Sequence, residues 1–321
     1  MSDLPKKVDI QEEGPREGFQ IEPGPISTER KIELIDALSE TGLKKIQVAS
    51  FVNPKRVPGW ADADAVIDGF GVTEGVIYHA LWLNEKGVER AMQHSDKLTH
   101  MGSISTTASE TFMKHNTNRG FEINREVQRG QIKLYKKYGI NVRRASLMTA
   151  FGCNFEGLIT PNTAVERLRE ILDIAEEEGT DIEILSLADT MGWAAPNGIK
   201  EVVGKVRDTW PDKRICLHLH DTRGMGVANV YAGMEMGVDL FDSSVAGLGG
   251  CPFAALKGAA GNVCTEDIVF LCNELGIHTG VNRDKLIEVA RLAEDIVGHP
   301  LPGSIMHAGS LTQYRGSMAA E

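Results

Sequence analysis

Short apolar, β-branched runs alternate along the whole chain with longer stretches in which apolar residues recur every three or four positions. The first pattern belongs to strands with buried faces, the second to helices that lay one face on a core. Strand-like runs fall near 6–12, 44–51, 75–83, 97–105, 141–150, 181–189, 214–221 and 239–246. Between them lie helical segments such as "TERKIELIDALSETG", "NREVQRGQIKLYKKYG" and "TAVERLREILDIAEEEG". Each closes on a glycine, the residue that most easily takes the left-handed conformation that stops a helix. In the last of them Val165, Leu168, Leu172 and Ala175 share one face, while Glu166, Arg169, Glu170 and Glu177 take the other.

Eight such units in sequence predict an α/β architecture, a (β/α)8 TIM barrel over residues 1–280. An open doubly wound sheet is the competitor, but it needs no eighth unit and usually carries a Gly-rich first turn. The segment "NRDKLIEVARLAEDIVG" and a Pro/Gly-bearing tail form a C-terminal extension, 281–321, expected to pack on the barrel.

Composition narrows the function. With 321 residues, 42% of them hydrophobic, and a net charge of -11, the chain is an ordinary globular protein without the clustered basic surface that nucleic acid demands. No run approaches the roughly 18 apolar residues of a membrane span, and "MSDLPKKVDI" reads as no targeting segment. The five cysteines, Cys153, Cys216, Cys251, Cys264 and Cys272, are odd in number and contain no C-x-x-C pair, which fits a reducing compartment. The expectation is a cytoplasmic enzyme with neither nucleic-acid nor membrane partners.

A barrel of this kind carries its chemistry at the C-terminal ends of the strands and in the loops beyond them. In "ICLHLHDT", the period-2 alternation of a strand puts His218 and His220 on one face with Cys216, and Ile215, Leu217 and Leu219 on the other. The apolar face must pack on helices, so the histidines face the barrel interior at its open end. An H-x-H pair by itself is a weak motif, for which two purely structural histidines are the plainer reading, but its place at the open end of the barrel opposite an apolar face favours a metal site. Strand tips and the loops beyond them offer further ligands in Glu17, Asp189, Asp221 and Asn262, a mixed N/O set suited to Mg²⁺ or Mn²⁺. For Asp221 a helix N-cap is the competing role. The run "SSVAGLGGCPFA" leaves the eighth strand as a glycine-rich loop carrying Cys251, and it lacks the G-x-x-x-x-G-K-[ST] pattern of a phosphate cradle.

Together "EEGPREGFQ", "HLHDT", "SVAGLGGCPFA" and "GNVCTED" resemble the 3-hydroxy-3-methylglutaryl-CoA lyase family, with "SFVNPK" and "SLADTMG" in the same order across roughly residues 8–282. The resemblance implies a metal-dependent retro-Claisen cleavage of a 3-hydroxy-3-methylglutaryl-CoA-like thioester to acetyl-CoA and a 3-oxo acid. It implies Glu17, His218, His220 and Asn262 as metal ligands, Arg16 at the enolate, Asp189 as base or orienting group, and Cys251 as acid. Glu12 is implied as a support behind the ligands or as a structural group. Lys55 and Arg56 would meet the phosphates of coenzyme A or simply form a solvated loop face, and the assembly would be a homodimer.

The match has departures. Glu17 stands where the family usually has Asp, Gln47 where it has Glu, and Arg223 where an aromatic is expected, while Trp82 and Trp193 replace smaller residues at strand ends. If all cluster at the pocket mouth, they point to an altered acyl group such as citramalyl-CoA or a bulkier 3-hydroxyacyl-CoA. Two rival functions are a condensing barrel synthase and a non-catalytic metabolite binder.

Overall fold

The computed structural model describes residues 4–249, 261–311 and 314–315. Eight parallel strands form one curled sheet: β1 (Asp9–Glu12), β2 (Lys45–Phe51), β3 (Ile77–Trp82), β4 (Gly102–Thr107), β5 (Val142–Met148), β6 (Ile184–Ala188), β7 (Arg214–His218) and β8 (Leu240–Ser243). Their order around the sheet is β3-β2-β1-β8-β7-β6-β5-β4, the cyclic order of a (β/α)8 barrel. No ladder joins β3 to β4 among the described residues; Thr99 N donates to Tyr78 O there at 2.8 Å, and the Trp82 ring lies 5.9 Å from that of His100. All eight expected runs contain a strand. The fourth starts later than the sequence indicates, because "KLTH" forms the approach to the strand and not its first residues.

Helix boundaries follow local chemistry. Ser27 Oγ accepts from Arg30 N at the start of helix Thr28–Ser39, and Thr160 Oγ1 accepts from Thr163 N at the start of Pro161–Glu177. Gly179, at φ +62°, ends the latter, with Thr180 N turning back to Ala175 O at 2.8 Å. The helix-facing sides of the strands are apolar. Leu217 of β7 abuts Gly233 in helix Gly226–Glu235 so closely that a side chain there would collide. One continuous buried cluster runs from Val8 to Met306 and includes Leu286, Ala290 and Ala293 of helix Arg283–Val297.

The barrel interior is different. Lys45, Gln47, His79, Arg144, Cys216, His218 and Asp242 occupy the inward positions of β2, β3, β5, β7 and β8. Branched apolar residues usually fill such layers. Here polar and charged groups do.

Candidate metal centre and active site

Glu17 sits in helix α1 (Gly14–Ile21), which opens directly after β1 with Pro15 in its first turn. His218 is the last residue of β7, and His220 follows two positions on. One ligand atom from each of these three lies within 4.8 Å of the others, the only such His/Cys/Asp/Glu group among the described residues. Asn262 reaches the same place by an isolated bridge to His220. Its Nδ2 donates to Glu17 Oε2 at 2.5 Å and to Ser244 Oγ at 2.7 Å, while its Oδ1 is buried and accepts no hydrogen bond among the described residues. A buried amide oxygen without a donor carries a desolvation cost that a cation would relieve. The donor set therefore fits a hard divalent metal.

Both histidines are tied at Nδ1, His220 to Thr190 O at 3.1 Å and His218 to Asp242 Oδ2 at 3.2 Å, and the rings meet edge-on with centroids 5.3 Å apart. His218 Nε2 lies 4.0 Å from Glu17 Oε2. Burial lowers the His220 pKa, and with the charge of His218 brings it to about 4. Burial opposes a charged His218 as well, but Glu17 and Asp242 outweigh it and raise its pKa. Glu17 is itself held at about 2, because Arg16 and the two histidines overcome its desolvation.

Arg16 faces the same pocket from α1. Its Nη2 pairs with Glu13 Oε2 at 2.6 Å and Glu17 Oε1 at 2.8 Å, its Nε donates to Gln47 Oε1, and Trp60 Nε1 holds its carbonyl at 2.9 Å. Asp189 follows β6; its Oδ1 accepts from Trp193 N at 2.7 Å and Ala194 N at 3.1 Å. Oδ2 is buried without a hydrogen bond among the described residues, and desolvation pushes the group up to about 6 despite those amides, Arg223 and His218. Gly249, at φ +91°, lets the loop backbone pass over Glu17, since a Cβ there would stand 2.7 Å from Glu17 Cβ.

Other expected residues lie further out. Asp221 Oδ1 accepts from Gly226 N at 2.5 Å, so it serves the start of helix Gly226–Glu235, although it precedes the cap position. Glu12 accepts from Gly14 N, Val245 N and Thr265 Oγ1, tying β1 to the turn after β8. Lys55 and Arg56 are exposed on the loop after β2. Cys251 falls outside the described residues. Trp193 is 37% exposed and lies over Gly152, its Nε1 on Asn154 Oδ1 at 2.6 Å, and Arg223 Nη1 donates to Met191 O and Gly192 O. Trp82 is the correction. It shares the outward face of β3 with Tyr78, is 5% exposed, and its indole reaches Tyr135 OH of helix Phe121–Lys137, so it lines the helix layer and not the pocket mouth. Gln47 bonds Arg16 and, at 3.4 Å, His79, and so meets the Glu17–His218–His220 group only through the guanidinium it shares with Glu17.

Sequence reasoning passed over Asp242 and Arg144. Their signal was a charged residue at an inward position within a strand, Arg144 in "VRRASLM" and Asp242 in "LFDS".

A cyclic order of parallel strands, with two imidazoles, a carboxylate and an amide gathered at the strand tips, defines a barrel enzyme of the metal-dependent kind. The chain belongs to the HMGL-like family, whose model matches residues 7–293, and it is a carbon–carbon lyase. It is 38% identical over 306 residues to a hydroxymethylglutaryl-CoA lyase of Bacillus subtilis, covering 93% of this chain and 96% of that one. A 3-hydroxy-3-isohexenylglutaryl-CoA/hydroxymethylglutaryl-CoA lyase of Pseudomonas aeruginosa is 37% identical over 295 residues, 92% of this chain and 94% of the other. The solved structure of an HMG-CoA lyase from Acinetobacter baumannii, in complex with coenzyme A and 3-methylmalate, superposes with a TM-score of 0.85 at 34% identity, covering 97% of this chain and 98% of that one.

Proposed function

We propose that this protein cleaves a 3-hydroxy-3-methylglutaryl-CoA-type thioester to acetyl-CoA and a 3-oxo acid. The observation that carries the reading is the grouping of Glu17, His218 and His220 at the strand tips, with Asn262 bridged to His220 and bonded to Glu17 beside them. A divalent cation held by these four residues, Mg²⁺ or Mn²⁺ by their N/O donors, would supply Lewis acidity toward the substrate hydroxyl. Asp189, with Oδ2 free to accept and its pKa lifted toward neutrality, takes the hydroxyl proton. Breaking the carbon–carbon bond moves negative charge to the thioester oxygen, and the buried Arg16 guanidinium stabilises it there as a fixed cation. Cys251 is assigned the final protonation by resemblance.

Formal charge supports an anionic substrate. Arg16, Lys45 and Arg144 stand against Glu13, Glu17, Asp242 and the ionised Asp189, so the pocket carries one net negative charge before a divalent cation enters and one net positive charge afterwards. Lys55 and Arg56 are assigned to the phosphates of coenzyme A; their alanine variants should raise KM with little change in kcat. The family resemblance implies a homodimer, which analytical ultracentrifugation tests; a cytoplasmic location is the expectation from the cysteines and the N-terminal sequence.

A second reading concerns the acyl group. Trp193 binds Asp189 through its backbone N and leaves its indole partly exposed over Gly152, which favours a bulkier 3-substituent, a class named for the Pseudomonas relative. Acetyl-CoA release with Mg²⁺ or Mn²⁺ should be compared on 3-hydroxy-3-methylglutaryl-CoA, citramalyl-CoA and a longer 3-alkyl analogue. Cleavage of the first at the highest kcat/KM establishes the plain lyase. A preference for the longer analogue that disappears in Trp193→Ala establishes the second reading, and no release from any thioester by metal-loaded protein rejects both.

A further inference from the structure

The two histidines differ in what stands behind them. His220 Nδ1 meets a backbone carbonyl, which any strand-end loop can supply. His218 Nδ1 meets Asp242, the residue across the ladder from it in β8. The Asp242 side chain is 2% exposed, and both its oxygens are taken. Arg144 Nη1 donates to Oδ1 at 3.1 Å, Arg144 Nη2 to Oδ2, and Cys216 Sγ lies 3.4 Å from Oδ1. Arg144 Nη2 is fixed in turn by Ser186 Oγ at 2.6 Å. Four consecutive strands, β5 to β8, thus contribute inward side chains to a single layer beneath the site.

Stability does not explain this layer. A buried Arg–carboxylate pair can often be replaced by apolar residues of similar size with no loss, and inward barrel positions ordinarily hold such residues. Geometry offers another reason. A carboxylate facing Nδ1 imposes the Nδ1–H tautomer, which leaves the lone pair on Nε2, the atom directed at Glu17 Oε2. The planar guanidinium fork holds the carboxylate in one plane and so fixes the plane of the imidazole.

We propose that Asp242, clamped by Arg144 and Ser186, is the positioning residue of His218: it sets the ring's tautomer and orientation and presents Nε2 to the cation site. Arg144 acts only through Asp242. The cation side of the inference rests on the lyase reading; the tautomer does not.

The test uses the double variant Asp242→Ala/Arg144→Met, which leaves no buried charge of the pair behind, and the conservative Arg144→Lys, which keeps the charge and loses the fork. Two quantities are read: the His218 tautomer by ¹⁵N NMR on metal-free full-length protein at alkaline pH, and Mn²⁺ affinity by EPR titration. In the parent, His218 should be the Nδ1–H form. In the double variant it should become a mixture, with Mn²⁺ binding weakened by about 10–100-fold, and Arg144→Lys should lie between. A parent-like tautomer and a Mn²⁺ Kd within about twofold of the parent in a folded double variant would overturn the proposal. Should the double variant fail to fold, Arg144→Lys decides on the same two readouts. If the parent itself binds no Mn²⁺, the lyase reading fails, and the tautomer comparison alone decides the role of Asp242.

Discussion

The two sides of the pocket are built on different logic. On the β7–β8 side every donor is braced from behind: His220 by Thr190 O, His218 by Asp242, Asn262 by Ser244. On the β1–β2 side the charged groups hold each other, with Arg16 shared among Glu13, Glu17 and Gln47. A braced ligand is ordered before anything binds, whereas a mutual ion pair must redistribute when a cation or substrate arrives. The first arrangement gives fixed geometry; the second stores counter-charge that can be released.

The largest effect should come from removing a braced ligand. His220→Ala is expected to lower kcat/KM by about a thousandfold or more and to abolish stoichiometric divalent metal in the purified protein, measured by inductively coupled plasma mass spectrometry. Full metal content would break the distinction at once. Next in size is Gly249→Ala, whose methyl would press on Glu17 Cβ from a backbone conformation disfavoured for L-residues. Displacement of one ligand by about 1 Å predicts a loss of about a hundredfold in kcat with the fold intact by circular dichroism.

Gln47→Glu probes the other side. A carboxylate in place of the amide strengthens the hold on Arg16 through a charge-assisted hydrogen bond, so kcat should fall by up to about tenfold while Mn²⁺ affinity stays near the parent value. A large gain in metal affinity would instead place position 47 among the metal's partners.

Much of this architecture is legible in the sequence. Period-2 alternation in "ICLHLHDT" puts Cys216 and His218 inward and Leu217 on the helix layer, where they lie. The same rule applied to "IYHALW" sends Trp82 outward with Tyr78; its strand-end position suggests the pocket only when that parity is ignored. Asp242 and Arg144 are hidden for a different reason. They pair across 98 positions of chain, and only the ladder order brings their strands together.

The smallest expected effect tests what lies under the loop after β8. Glu266 Oε2 accepts from Ala246 N at 3.0 Å, Oε1 is buried without a hydrogen bond among the described residues, and burial pushes the group up to about 8. A carboxyl group with a raised folded pKa contributes stability that is complete below its unfolded value near 4.5 and is lost as pH rises through about 8. Unfolding free energy should therefore decline between about pH 4.5 and 8, by at most about 1.4 kcal/mol per pH unit for this group, and melting temperature with it. Glu266→Gln should remove part of that slope; an unchanged slope in thermal melts would show that the carboxyl is already ionised.

The gap between β3 and β4 makes the barrel a clasp and not a ring. Its two lips meet through one backbone hydrogen bond and aromatic packing. New chain ends opened in the connection between these strands, with the native ends joined by a linker, would sever no ladder. A circular permutant cut there should keep every residue of the pocket in place, because Glu17, Asp189, His218, His220 and Asn262 all descend from strands on the continuous arc.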